Sequence, residues 1–246
     1  MNTKTHTTIK LLGRGGFGKV EEIRDDQNRV VAKKTFLPAY TIDVAYHDKL
    51  RKRFKREVET QRQLGGNEII PIIDFSMSGD SPWFTMPLAE KLYQDQIVAD
   101  KKSGKVDIDA IADILNALQF LHQMEFVHRD LNPRNILKHD GKWKLSDFGA
   151  VLPPTGNTAT LTEDTIIYTE QYCAPEQRRD FHASKPSADV YSFGCILHDL
   201  FGDRARTPYG KHSAPGPIGL IIEKCTEQAP ERRPSIRVLR GLVLDI

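Results

Sequence analysis

The sequence predicts an α+β fold in two lobes, a small five-stranded antiparallel sheet with one helix followed by a larger, mainly helical lobe. Three observations carry that prediction. Short strand-like runs parted by turns crowd residues 1–86, one charged amphipathic helix interrupts them, and from about Leu92 the apolar spacing becomes helical. In order, Ile9 to Leu12, Lys19 to Ile23 and Arg29 to Lys34 read as a meander. A glycine cluster parts the first two runs, and a polar turn at Asp25 to Asn28 parts the last two. Asp48 to Leu64 reads as the helix, ended by Gly65 and Gly66, and Ile69 to Phe75 and Trp83 to Met86 complete the strands. In the second lobe Ile108 to Gln123 places Ile108, Ile111, Ile114, Leu115, Leu118 and Leu121 on one helical face, a candidate core. Asp140-Gly141, between Ile136-Leu137 and Trp143-Lys144-Leu145, is a two-residue hairpin signal. Leu152 to Thr165, rich in Thr, Pro, Gly and Asn, reads as a long surface loop.

Composition excludes several classes. Lys plus Arg number 35 against 33 for Asp plus Glu, a balance too even to argue for a nucleic-acid partner or a membrane surface. Cys173, Cys195 and Cys225 stand far apart, without metal-binding or redox spacing, and read as buried free thiols of a reducing compartment. No apolar leader and no run of about 20 apolar residues is present, so a cytoplasmic protein is expected.

Phosphoryl transfer needs a metal-neutralised triphosphate, an aligned hydroxyl and an acceptor for its proton, so the residues to look for are glycines, a lysine, carboxylates and an asparagine, and all are present. Gly13-Arg14-Gly15-Gly16-Phe17-Gly18-Lys19-Val20 lies between strand-like runs, where absent Cβ atoms let backbone N–H groups approach phosphate oxygens. A dinucleotide-binding turn would have a helix after the third glycine, whereas the residues after Gly18 are strand-like. His128-Arg129-Asp130-Leu131-Asn132-Pro133-Arg134-Asn135 is followed by Asp147-Phe148-Gly149. At ~5% usage per residue type, the first pattern arises by chance in roughly one chain of this length in a thousand, before the second is counted.

These motifs resemble the protein kinase family, and the resemblance runs over nearly the whole chain. Val31-Ala32-Lys33-Lys34, Ala174-Pro175-Glu176, Asp189-Val190-Tyr191-Ser192-Phe193-Gly194 and Arg233-Pro234-Ser235 match further landmarks of the family. The resemblance implies a two-lobed kinase fold over residues 1–246, with a small lobe to about 86, a hinge at about 87–91 and a large lobe from about 92. It implies that Lys34 holds the α- and β-phosphates, with Glu57 as its partner in preference to Glu59, and that Asp130 accepts the substrate proton. Asn135 and Asp147 would hold Mg²⁺. For ATP it implies glycine contacts from Gly13, Gly15 and Gly18, and an adenine pocket with Leu12, Val20 and Ala32 as roof and Leu137 as floor. Met86 would be the gatekeeper, and Pro87-Leu88-Ala89 the hinge that meets the base from its backbone. Pro87, where the family often has Glu, removes one N–H. Arg233 would pair with Glu176.

Two departures bear on activity. Asn132 replaces the lysine that most Ser/Thr kinases place two residues after the catalytic Asp. Arg134 stands where many tyrosine kinases carry an arginine, and is read as taking over the contact to the γ-phosphate. Gln61, one turn beyond Glu57, stands where the family packs an apolar side chain against Phe148 above His128, and is expected to loosen the active arrangement. A third departure, the short Pro- and Gly-rich stretch from Phe201 to Ile218, reads as a trimmed docking region. Thr169 and Pro133 favour Ser/Thr specificity; a tyrosine or dual-specificity kinase and a pseudokinase scaffold are the alternatives. A small-molecule phosphotransferase is disfavoured by the Ala174-Pro175-Glu176 landmark. Thr155, Thr158, Thr160, Thr162, Thr165 and Tyr168 are candidate phosphosites, with Arg129 and the basic helix residues Arg51, Lys52, Arg53, Lys55 and Arg56 as receivers. Little chain flanks these landmarks, so control is expected from an upstream kinase or a regulatory protein, and the substrate is expected to be a protein.

Overall fold

The structure, a computed structural model, describes residues 6–15, 18–38, 44–152, 154, 169–182 and 184–244. The candidate phosphosites Thr155, Thr158, Thr160, Thr162, Thr165 and Tyr168 lie outside them.

The small lobe is a five-stranded antiparallel sheet in the order β1-β2-β3-β5-β4, formed by β1 (Thr7–Gly15), β2 (Gly18–Arg24), β3 (Val30–Phe36), β4 (Asp74–Ser76) and β5 (Trp83–Pro87). The turn between β2 and β3 is held by Asp25, whose Oδ1 accepts from the Gln27 and Arg29 amides at 3.0 and 2.8 Å. Helix α1 (Val44–Leu64) lays Leu50, Phe54 and Val58 against Phe36 and Phe84 of the sheet. Gly65 and Gly66, with φ of 53° and 83°, end it. The apolar run from Ile69 to Phe75 corrects the sequence expectation. Only its end joins the sheet, as β4, while Ile69 bridges to Leu145 in the other lobe. A short apolar run carries no signal that separates a strand from irregular buried chain.

In the large lobe β6 (Lys91–Leu92), β7 (Ile136–His139) and β8 (Lys142–Leu145) form a second small sheet, with the expected tight turn at Asp140 and Gly141, both at positive φ. Helices α2 (Tyr93–Ser103), α3 (Ile108–Gln123), α4 (Pro175–Arg179), α5 (Pro186–Phe201), α6 (Pro217–Cys225) and α7 (Ile236–Leu244) make up the rest. Asp107 caps α3 by accepting from the Ala110 amide at 3.1 Å, which fixes where that helix starts. Ile111, Ile114, Leu115, Leu118 and Leu121 enter the main core as expected. Ile108 does not: as the first helical residue it is half exposed. Helices α5 and α6 meet so closely that a Cβ on Gly194 would lie 2.5 Å from the Cys225 Cβ, and so only glycine fits there. The three cysteines are buried and free. No helix among the described residues is long and apolar enough to cross a membrane.

Candidate active site

Between the lobes lies a cavity of about 710 Å³. Its upper wall is Leu12, Gly13, Gly15, Gly18, Val20 and Ala32; its far edge is Met86, Pro87, Leu88 and Ala89; Leu137 lies below. Lys34, Glu57, Asn135, Asp147 and Arg134 also face it, so every proposed nucleotide-contacting residue is brought to one space. Gly18 is required by packing, since a Cβ there would sit 2.1 Å from the Thr35 carbonyl oxygen across the β2–β3 pair.

Lys34, on the central strand β3, reaches Glu57 of α1 at 2.6 Å and Asp147 at 3.3 Å. Glu59 pairs instead with Lys55 at 3.6 Å on the exposed face of α1. Burial opposes the charge on Lys34, yet Asp147 and Glu57 outweigh it and raise its affinity for the proton. Burial likewise pushes Glu57 up, to about 7, against the pull of Lys34. Asp147 is held below the usual carboxylate range: burial acts upward, but Lys34 and Arg53 prevail. Its φ of 60° is a left-handed conformation, uncommon for a residue with a Cβ.

The Asp130 carboxylate is held by three donors. Its Oδ1 accepts from the Thr169 amide at 3.0 Å and from Asn132 Nδ2 at 3.3 Å, and its Oδ2 from Asn135 Nδ2 at 3.3 Å. Burial first, then the nearby charge of Asp147, raises its proton affinity above that of an ordinary aspartate. Asn132 Nδ2 also donates to Thr169 Oγ1 at 3.1 Å, while its Oδ1 accepts from the Arg134 amide at 3.0 Å. Asn132 therefore ties Asp130, Thr169 and the backbone of Arg134 together, a role that sequence reasoning missed. The Asn-Pro pair was the available signal, because asparagine before proline favours this turn. Arg134 itself is exposed and donates from Nε to Gln94 Oε1 at 2.8 Å, a partner on α2 that the motif did not foretell.

Behind the catalytic loop, Asp189 of α5 is fully buried. It accepts from the His128 and Arg129 amides and pairs with His122 Nε2, each at 2.9 Å. This clamp holds Arg129 at a φ of 67°. The Arg129 guanidinium donates to Ala150 O at 2.6 Å and Phe181 O at 3.1 Å, and its Nη2 is buried with no hydrogen-bond partner among the described residues. Burial pushes it down to about 9, with Arg56 and Arg53 adding to the effect and Asp189 opposing it. Arg233 meets Glu176 through two hydrogen bonds of 2.6 and 2.9 Å, the pair expected from sequence. Gln61 does not loosen its surroundings in the way a lone buried amide would, since its Nε2 donates to the Ile70 carbonyl at 2.6 Å.

A family model described as the protein kinase domain matches residues 6–215. The chain belongs to the protein kinase family. It is 32% identical over 238 residues to the probable serine/threonine-protein kinase PkwA of Thermomonospora curvata, covering 96% of this chain and 30% of that protein. To the serine/threonine-protein kinase PknB of Mycolicibacterium smegmatis it is 33% identical over 205 residues, 78% of this chain and 31% of the relative. With the serine/threonine-protein kinase PrkC of Bacillus subtilis the identity is 27% over 231 residues, 93% and 35% of the respective lengths. The chain thus spans about a third of the length of the curated relatives it matches.

Proposed function

We propose that this kinase domain transfers the γ-phosphoryl group of ATP to serine or threonine hydroxyls of protein substrates, with Asp130 as the proton acceptor. The observation that carries the reading is the Asp130 carboxylate, fixed by Asn132, Asn135 and Thr169 beside the cavity that Lys34, Glu57 and Asp147 line. In the reaction the bond between the γ-phosphorus and the bridging oxygen breaks, a bond to the substrate oxygen forms, and the hydroxyl proton passes to Asp130. A proton affinity raised by burial suits Asp130 to that task.

The donor set fits Mg²⁺. Asp147 offers carboxylate oxygens, and Asn135, whose Nδ2 is committed to Asp130, has its carbonyl oxygen left to give; both are hard oxygen donors. When bound, the ion would neutralise charge on the transferring phosphoryl group. Lys34, anchored by Glu57, would orient the α- and β-phosphates, and the backbone of Leu88 and Ala89 would receive the adenine, leaving the missing N–H of Pro87 without consequence. The relatives' names support Ser/Thr specificity, and the Asn132–Thr169 bond supports it from within the site.

Purified chain with Mg²⁺ and γ-labelled ATP is expected to label itself or a generic protein substrate, while Asp147→Ala does not. A wild-type chain that labels neither would defeat the enzyme reading in favour of a nucleotide-binding scaffold. Phosphoamino-acid analysis of the product decides between hydroxyl classes, and phosphotyrosine alone would favour the tyrosine-directed alternative suggested by Arg134.

Arg134 is proposed to carry the γ-phosphate contact that Asn132, a neutral side chain already engaged with Asp130 and Thr169, does not offer. Arg134→Ala should lower kcat by about 10²-fold, the effect of losing one charged group on the transferring phosphoryl. Normal turnover in that variant would refute the assignment. The loop between Asp147 and Glu176 is proposed to be phosphorylation-responsive, with Arg129, whose Nη2 has no hydrogen-bond partner among the described residues, as the receiver for a phosphate on Thr158, Thr160, Thr162, Thr165 or Tyr168.

A further inference from the structure

Gln61 is 2% exposed and lies one helical turn beyond Glu57. Its hydrogen bond completes a circuit around the catalytic cation. At the front, Lys34 bonds Glu57 and Asp147. Behind, Gln61 Nε2 donates to Ile70 O at 2.6 Å, the Ile70 amide donates to Leu145 O at 3.0 Å, and the Leu145 amide donates to Glu68 O at 2.9 Å. Leu145 stands two residues before Asp147. The two carboxylates that grip Lys34 are thus joined to each other from the rear, and the Gln61 amide is a side-chain link from α1 to the segment that leads to Asp147, beside Arg53, which packs against Gly149.

We infer that Gln61 is a positioning residue for phosphoryl transfer, its amide fixing α1 against the Ile70–Leu145 segment so that Glu57 and Asp147 are held together around Lys34. The inference rests on the kinase reading above. An apolar side chain of the same length would fill the space but behave differently. Apolar contact is non-directional and tolerates sliding, whereas a hydrogen bond weakens steeply with misalignment. No other donor reaches the Ile70 carbonyl among the described residues, and leaving a buried acceptor unpaired is costly. An outward shift of α1 would have to break this bond as well as the Lys34–Glu57 pair. Gln61 also lines the cleft beside Glu57, so its loss would be felt where the nucleotide sits.

The test uses the full chain and its Gln61→Met and Gln61→Glu variants. Methionine keeps length and volume but has no donor; an ionised glutamate keeps shape and sets an acceptor against the Ile70 carbonyl. Gln61→Met is expected to unfold at the wild-type temperature within a few degrees, to lose about tenfold in kcat with the protein-substrate KM unchanged, and to exchange the amide hydrogens of α1 faster. Gln61→Glu should fall further in kcat than Gln61→Met at pH values where the new carboxylate is ionised, and regain kcat where it is protonated and can donate to the Ile70 carbonyl. A packing role alone predicts that Gln61→Met keeps wild-type kcat and wild-type exchange, and that result would overturn the inference. Should the variants not fold, hydrogen exchange in the wild type decides it: α1 and the Ile70 and Leu145 amides should open as one cooperative unit, and independent opening would refute the coupling. Exchange needs no turnover. A wild-type chain that transfers no phosphate therefore sinks the kinase reading, while the exchange result still judges the circuit.

Discussion

Asp130→Asn should lower kcat about a thousandfold and leave the KM for ATP within a few-fold of wild type. Asparagine keeps the size of the side chain and one oxygen for the Thr169 amide, which now bonds Asp130 Oδ1 at 3.0 Å. It loses the ability to take a proton, and positioned general bases contribute about 10²- to 10⁴-fold. Alanine would be a poorer probe. It would also strip partners from Asn132, Asn135 and the Thr169 amide at once, and so mix a chemical loss with a structural one. Because Asp130 sits beside the cavity without lining it, ATP affinity is expected to survive. The measurement is steady-state kinetics with a fixed protein substrate, together with a thermal unfolding curve to establish that the variant is folded. A kcat within tenfold of wild type would remove Asp130 from the role of base. A matching rise in the KM for ATP would move it to nucleotide binding.

What could be read from the sequence, and what could not, divides along a physical line. The residues proposed for the site were legible as a group because phosphate chemistry calls for particular side chains, and Lys34, Glu57, Asn135 and Asp147 line one cavity. Helix α3 was legible at both ends because its buried face is apolar at helical spacing and Asp107 caps it. Helix α2 was not, since Tyr93, Ile97 and Asp100 are its buried residues and so sparse a stripe gives little periodicity. The link from Gln61 to Ile70 left no trace in the sequence for a different reason: its partner is a backbone carbonyl, which every residue has. The same holds for Arg129, whose acceptors are the carbonyls of Ala150 and Phe181. Motifs report the side chains that meet substrate; the groups that hold those side chains in place are largely main chain, and only geometry reveals them.

Asp189 is where that dependence on main-chain contacts is greatest, and Asp189→Ala is expected to be among the most destabilising single substitutions in the chain. The carboxylate is fully buried and serves the amides of His128 and Arg129 and the ring of His122. Removing it leaves these donors without an acceptor, at about 1–3 kcal/mol for each such group before relaxation. After partial relaxation the net loss should be about 3–5 kcal/mol, comparable to breaking a buried ion pair. For a domain of this size that corresponds to a fall in Tm on the order of 10 °C. Turnover should fall as well, because the same two amide bonds pin Arg129 in its left-handed conformation, immediately before Asp130, the proposed base. Asp189→Asn separates charge from shape and adds a pH signature. Burial acts to raise the Asp189 carboxyl, but His122, His128 and the Arg129 amide outweigh it and hold it below its ordinary value of 3.8. A depressed carboxylate contributes stability that is complete above the unfolded value and is lost as pH falls through the folded one. The stability difference between wild type and Asp189→Asn should therefore shrink below about pH 4. A difference that instead grew on acidification, or an Asp189→Ala chain as stable as wild type, would show that the catalytic loop is held by other contacts.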